Sequence, residues 1–325
     1  MLAQRHQEVV LWARNGEVVN DIKVKKENQR YLPGVILPES LTVTGNMAAA
    51  VKEAAVIVIA TPSHVVRETA ARLAGLVSRG AVVVSATKGL EVGSLKRMSE
   101  VISEEMPFLD GRIVALSGPN HAEEVGLRQP SATVAASACR ESAELVQETL
   151  IQPYFRVYTN PDVTGVELGG ALKNIIALGA GIADGLGFGD NAKAALVTRG
   201  LAEIARLGMA MGARPLTFAG LSGVGDLMVT CNSRHSRNRR AGVLLAEGKT
   251  LPEIQAASGM VVEGFRSTLA AHELAARHEV EMPITEQIYR VLYEGVSPRE
   301  GVVELMARGR THEIEEVASG DNWQQ

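Results

Sequence analysis

Lys173 stands in an apolar, glycine-rich run, Leu168-Gly169-Gly170-Ala171-Leu172-Lys173-Asn174-Ile175-Ile176. At helical spacing its neighbours include Gly169, Gly170, Ala177 and Ala180, which are too small to cover an ammonium. Leu168, Leu172, Ile175 and Ile182 form an apolar side. A helix apolar nearly all round is buried, and a buried lysine holds its proton less tightly, so it can trade protons near neutral pH. On these residues alone two readings stay open: an acid/base lysine, or a lysine snorkelling past small residues placed for helix packing. A second lysine, Lys88, lies in Thr87-Lys88-Gly89 after the β-branched run at 81–86. It could hold a phosphate or polarise a carbonyl; a solvated turn is the plain alternative. Ser117-Gly118-Pro119-Asn120 closes the run at 113–117 in the same way. Arg234-His235-Ser236-Arg237-Asn238-Arg239-Arg240 carries four arginines in seven residues. Ser236, Arg237 and Asn238 together offer the donors that saturate phosphate oxygens, against the alternative of a solvated loop. Asp226, eight residues before Arg234 in a glycine-rich turn, could face the same pocket.

These residues need a scaffold, and the hydrophobic pattern supplies one. Short β-branched runs at 8–13, 54–60, 81–86, 113–117 and 132–136 alternate with helical patterns such as 65–76 and 95–105. That alternation reads as a Rossmann-like, doubly wound parallel sheet covered on both faces. Past about Pro161 the strand signal ends, and helical patterns follow at 162–184, 190–211, 263–277, 283–294 and 298–307. Asp190 is expected to cap one of them, and Gly212 with Pro215 to stop it. The expected organisation is an α/β domain over 1–160 and an all-helical domain over 161–325. Ligands of open parallel sheets bind outside the carboxyl ends of strands, which is where Lys88, Gly118 and Asn120 fall. Arg14 ends the strand at 8–13, where an arginine suits a ribose 2′-phosphate; an ordinary charged strand end is the alternative.

Composition narrows the partners. Apolar residues make up 46% of the 325, and the formal net charge is −4, so no global field recruits nucleic acid or an anionic membrane. The basic stretch at 234–240 lacks interleaved aromatics, which weakens a nucleic-acid reading. The longest segment free of Asp, Glu, Lys and Arg is 13 residues, Ala54 to Val66, too short to span a bilayer. Cys139 and Cys231 show no metal spacing and no disulfide framework. A soluble, cytoplasmic protein without a metal is expected.

No strand followed by Gly-x-Gly-x-x-Gly opens the chain. Gly187-Phe188-Gly189-Asp190-Asn191-Ala192 fits the loose pattern, but a helix precedes it rather than a strand. Several long strings in order nevertheless resemble the bacterial NAD(P)-dependent glycerol-3-phosphate dehydrogenases. They include Arg30-Tyr31-Leu32-Pro33-Gly34, Ser85-Ala86-Thr87-Lys88-Gly89, Ser117-Gly118-Pro119 with Ala122-Glu123-Glu124, and Gly165 through Asn174. Gly225-Asp226-Leu227, Ser236-Arg237-Asn238-Arg239 and Val261-Val262-Glu263-Gly264 continue the series, so the resemblance runs from about Glu8 to about Arg308.

The resemblance implies hydride transfer between NADP or NAD and the dihydroxyacetone phosphate/sn-glycerol 3-phosphate pair, in glycerophospholipid synthesis. It implies Lys173 as the proton-transfer residue, with Lys88 and Asp226 beside it. The implied substrate contacts are Lys88, Gly118, Asn120, Lys173, Asn174, Asp226, Ser236, Arg237 and Asn238. The implied cofactor contacts are Arg14, Lys88, Ala122, Arg237, Val261 and Glu263. Asn120 departs from the serine or threonine usual there. A homodimer joined through the helical domain is a further expectation from the family. Against that pattern, Met1 falls near the end of the family's first helix, so the first strand and glycine-rich loop are expected to be absent, on the order of 20 residues. A chain lacking them would have unpaired strand edges and no helix N-terminus for the pyrophosphate. The alternatives are therefore a misplaced start, an inactive remnant, a non-catalytic phosphometabolite-binding protein, or a 3-hydroxyacid dehydrogenase-like enzyme.

Overall fold

The computed structural model describes residues 1–5, 8–259 and 261–310. The N-terminal half runs α1 (Leu2–Arg5), β1 (Val9–Trp12), α2 (Gly16–Lys25), β2 (Glu27–Asn28), β3 (Leu32–Ile36), β4 (Leu41–Thr44), α3 (Met47–Val51) and β5 (Val56–Ile59). It continues through α4 (Val66–Ala74), β6 (Val82–Ser85), α5 (Met98–Glu105), β7 (Ile113–Ser117), α6 (Ala122–Gly126), β8 (Ser131–Ala136), α7 (Arg140–Leu150) and β9 (Phe155–Asn160). Helices then follow one another: α8 (Val163–Gly185), α9 (Asp190–Ala210), α10 (Pro215–Phe218), α11 (Asp226–Asn232) and α12 (Arg237–Ala246). The last are α13 (Leu251–Ser258), α14 (Glu263–Arg277), α15 (Pro283–Tyr293) and α16 (Pro298–Met306).

The main sheet has the order β5-β6-β7-β8-β9. The valines of β6 are sandwiched. Val83 packs with Val66, Ala70, Leu73, Val101 and Ile102 from α4 and α5. Val82 and Val84 face Val146 and Leu150 of α7 on the other side. Burial on both faces is why these strands read as unbroken apolar runs. The sheet is not wholly parallel. β5, β6 and β7 run together, but β8 is antiparallel to β7, and β9 is parallel to β8. The link from β7 to β8 carries only the five-residue α6. That is short of the crossover helix that returns a chain to its starting edge. β1 pairs in parallel with β4 as a separate two-stranded sheet, and β2 with β3 forms a small antiparallel hairpin.

Among the described residues no strand follows Asn160. α8 forms the axis of the helical domain, buried from Gly165 through Ala183. By length and composition α8 could cross a membrane, but its most apolar window lies wholly inside the protein. α12 approaches it backbone to backbone. A Cβ on Gly181 would lie 1.9 Å from the Arg239 carbonyl, and one on Gly242 would lie 2.1 Å from that of Leu178. Some expected boundaries move. Gly189, not Asp190, caps α9, and Asp190 is its first helical residue. α5 starts at Met98 rather than Leu95, because Leu95 takes φ +62° and Leu90 forms a bridge with Arg97. The basic stretch is no loop after Ser236: Ser236 caps α12, and its side chain accepts from the Arg239 amide.

Candidate active site

Two lysines from different parts of the chain meet on one carboxylate. Lys88 extends from the carboxyl end of β6, and its Nζ donates to Asp226 Oδ2 at 2.8 Å, to Gly118 O at 2.8 Å and to Asn120 Oδ1 at 3.2 Å. Lys173, midway along α8, donates to Asp226 Oδ1 at 2.5 Å and to Thr230 Oγ1 at 2.6 Å. Asp226 is the first residue of α11 and only 1% exposed. Lys173 is 6% exposed, so it does not snorkel. Its small neighbours also pack closely. A Cβ on Gly170 would stand 2.5 Å from Ser117 Oγ and 3.5 Å from Lys88 Cγ, and one on Gly169 would stand 2.5 Å from Ser222 O. The glycines therefore let β7, the Lys88 stem and the turn before α11 close on α8.

The electrostatics follow from that geometry. Burial pushes Lys173 down to about 8; Asp226 opposes the shift and the nearby Lys88 adds to it. Burial by itself would raise the Asp226 carboxyl, but the two ammonium groups outweigh it and hold it below the ordinary range. The donor count separates the lysines. Lys88 spends all three N–H groups on the contacts above, whereas Lys173 spends two and keeps one for a ligand.

The basic stretch adjoins this centre through α12. Asn238 Nδ2 donates to Asn174 Oδ1 at 2.8 Å, and Asn238 Oδ1 accepts the Gly264 amide at 2.9 Å. The residue after Lys173 is thus tied to the first turn of α12. Ser236 Oγ accepts the Arg239 amide and keeps its own proton for another acceptor. Arg237 is exposed and donates to Val261 O at 3.0 Å. Arg239, by contrast, is committed to Asp184.

Other expected residues gather near the carboxyl ends of β1, β5 and β6. Glu263 at the start of α14 accepts from Ser63 N at 3.0 Å and Ser63 Oγ at 2.7 Å. A Cβ on Gly89 would meet Ser63 Cβ at 2.7 Å and Glu263 Oε2 at 3.2 Å. Arg14 and Glu263 both act on the charge of His64. Ala122 opens α6 and is exposed. Gly118 takes φ +153°, and a Cβ there would lie 2.9 Å from Thr133 Cα.

Three hydroxyls at the ends of adjacent parallel strands, Thr61 Oγ1, Ser85 Oγ and Ser117 Oγ, are buried without a hydrogen bond. Buried polar atoms are normally paired, so an unpaired row at the carboxyl ends of β5, β6 and β7 fits a polar ligand such as a dinucleotide.

Sequence reasoning missed Thr230, although Asp226 and Thr230 are four apart on one helix face, a spacing that could have found it. It also missed Thr133, whose Oγ1 accepts from Asn120 Nδ2 at 2.8 Å, and His121. His121 Nε2 is buried without a hydrogen bond. Burial and then the Lys173 charge push the imidazole below its ordinary range. Its ring centroid lies 6.2 Å from that of His235, which lines an open cavity of about 590 Å³ together with Glu123, Met228 and Arg234.

A Rossmann-like sheet with unpaired buried hydroxyls at its strand ends, joined to a helical domain that supplies a buried lysine with a lowered pKa, defines a two-domain nicotinamide-dependent oxidoreductase. Family models described as the NAD-dependent glycerol-3-phosphate dehydrogenase N-terminus and C-terminus match residues 1–143 and 162–303. A glycerol-3-phosphate dehydrogenase (NAD(P)+) of Pelotomaculum thermopropionicum is 58% identical over 98% of this chain and 91% of its own length. One of Moorella thermoacetica is 56% identical over 99% and 94%. A crystal structure of glycerol-3-phosphate dehydrogenase from Coxiella burnetii superposes with a TM-score of 0.89 at 39% identity, covering 94% of each chain. This chain belongs to the NAD-dependent glycerol-3-phosphate dehydrogenase family, and it is an NAD(P)-dependent enzyme. The N-terminal match begins at residue 1, so these comparisons lend no support to the expected absence of an opening strand and loop.

Proposed function

We propose that this enzyme interconverts dihydroxyacetone phosphate and sn-glycerol 3-phosphate, with Lys173 as the proton-transfer group. The observation that carries the reading is the Asp226 carboxylate held between Lys88 and Lys173, with one donor of Lys173 left for a ligand. The nicotinamide cofactor supplies the hydride when bound. Reduction builds negative charge on the ketone oxygen, which the two ammonium groups stabilise. Lys173 Nζ then gives that oxygen a proton, and a lysine held near 8 does so more readily than one in water. In the reverse direction neutral Lys173 takes the hydroxyl proton. Asp226 stays ionised and keeps Lys173 protonated until the oxygen needs the proton.

The substrate phosphate does not react. Arg237, the Ser236 hydroxyl and Asn238 at the start of α12 bind it and orient the carbonyl towards Lys173. Gly118, Asn120 and Asn174 complete the substrate site with Lys88, which reaches the substrate by exchanging one of its present acceptors. Arg14, Lys88, Ala122, Arg237, Val261 and Glu263 hold the cofactor, and the exposed Arg14 favours NADP through its 2′-phosphate. The division at 160/161, a homodimer and a cytoplasmic setting in glycerophospholipid synthesis belong to the same reading.

The test is Lys173→Ala, assayed for reduction of dihydroxyacetone phosphate with NADPH and with NADH. Turnover should vanish while circular dichroism and the melting profile keep a folded protein. Near-parental turnover in that variant rejects the assignment.

A further inference from the structure

The loop that carries Lys88 is fastened to α8 at two levels. At one end the Lys88 stem lies over Gly170, where a Cβ would be 3.5 Å from Lys88 Cγ. At the other, Glu167 is a carboxylate of α8 only 8% exposed, and residues of the sheet domain satisfy it. Its Oε2 accepts from Arg97 Nη1 at 2.7 Å and from Ser99 Oγ at 2.5 Å, and its Oε1 accepts from Ser99 N at 2.8 Å. Ser99 is in the first turn of α5, so Glu167 also serves an amide that the helix itself leaves free. Between these ends Leu90 and Leu95 are buried in the core of the helical domain, not in that of the sheet. The bridge between Leu90 and Arg97 closes the loop on itself. Gly170 and Glu167 are three residues apart, one turn of α8. The segment from Lys88 to Arg97 therefore leaves the sheet domain but is held by the helix that carries Lys173.

Resting on the reading of Lys88 and Lys173 as the reacting groups, we propose that Glu167 and Arg97 form a positioning pair for catalysis. Their ion pair, with Ser99, fixes the loop against α8 and so sets the Lys88 ammonium at its place on Asp226. Arg97 suits the task because it is itself held at several points: Nη1 also donates to Ser99 Oγ at 3.1 Å, Nη2 pairs with Glu100 Oε1 at 2.9 Å, and its backbone N–H donates to Glu100 Oε2 at 2.8 Å. Neither residue needs to touch the substrate. Small displacements of a positioned group weaken turnover more than binding. Loosening the pair also alters how strongly Lys88 and Asp226 bias the Lys173 proton.

The test is Glu167→Gln, with kcat, KM and the pH profile of kcat measured alongside the melting temperature, using dihydroxyacetone phosphate and NADPH. The expected result is a fall in kcat of roughly 10- to 100-fold with little change in KM, together with a displaced lysine limb in the pH profile. The double variant R97M/E167M separates position from stability, because an apolar pair of similar volume can restore the stability of a buried ion pair. Its melting temperature should recover while kcat stays low. If kcat per folded molecule in Glu167→Gln matches the parent, or kcat recovers with stability in the double variant, the proposal is overturned. Should Glu167→Gln not fold, Arg97→Gln removes the same ion pair from the loop side, and an unchanged kcat there has the same meaning. Parent enzyme inactive on dihydroxyacetone phosphate overturns the functional reading itself; an active parent with unaffected variants overturns only the positioning role.

Discussion

Asp226→Asn isolates the electrostatic core of the mechanism. The parent carboxylate touches Lys173 at 2.5 Å and Lys88 at 2.8 Å from a position almost wholly out of water. Burial sets Lys173 near 8 against the restoring pull of this charge. An opposite charge at contact shifts a pKa by about 1–3 units, so its removal should take Lys173 from about 8 to roughly 5–7. Protonated Lys173 drives ketone reduction, so activity in that direction is present below its pKa and lost above it. Near pH 7 a two-unit displacement reduces the protonated fraction about tenfold. The kcat for dihydroxyacetone phosphate reduction should fall accordingly and recover on acidification. Glycerol 3-phosphate oxidation needs the neutral amine, so its limb should open at lower pH than in the parent. The assay is initial-rate reduced-nicotinamide absorbance at saturating substrate, across pH, in both directions. The substrate phosphate also titrates near 6, but equally for parent and variant, so the difference belongs to the enzyme. Breaking a buried pair costs about 3–5 kcal/mol, hence a melting control is needed. A reduction limb that stays where the parent's lies, or moves to higher pH, refutes the reasoning.

Arg237→Ala should raise KM for dihydroxyacetone phosphate by roughly 10- to 100-fold, the worth of one charge-assisted hydrogen bond, with a much smaller change in kcat. An unchanged KM removes the phosphate-binding role. Gly181→Ala should lower stability by about 3 kcal/mol or more, because the added methyl would sit 1.9 Å from a backbone carbonyl of α12 that cannot rotate away. Urea unfolding checks this, and a midpoint equal to the parent's would contradict the close α8–α12 contact.

Sequence patterning located strands buried on both faces, such as Val82–Ser85, and also the partly exposed Val9–Trp12, whose residues are all apolar. Those it missed lack that pattern. Leu41–Thr44 is short and pairs only with β1, while Phe155–Asn160 alternates buried and exposed residues and carries polar Arg156, Thr159 and Asn160. The start of α12 gave no helical signal because four arginines obscure the apolar side formed by Ala241 and Leu245. His121 drew no notice, since a lone histidine in a loop carries no spacing signal.

By itself the sequence determined that α8 is buried, that a sheet precedes a run of helices, and that Lys173 lacks large neighbours. These are local properties, written in period and side-chain size. Only the tertiary structure decided between a snorkelling lysine and a paired one. Asp226 lies 53 residues from Lys173 and 138 from Lys88, so no spacing rule could join them. The reversal of β8 and the fastening of the Lys88 loop to Glu167 have the same origin. Each depends on which distant backbone arrives at a glycine or an unpaired carboxylate, and that is settled by packing between elements rather than within them.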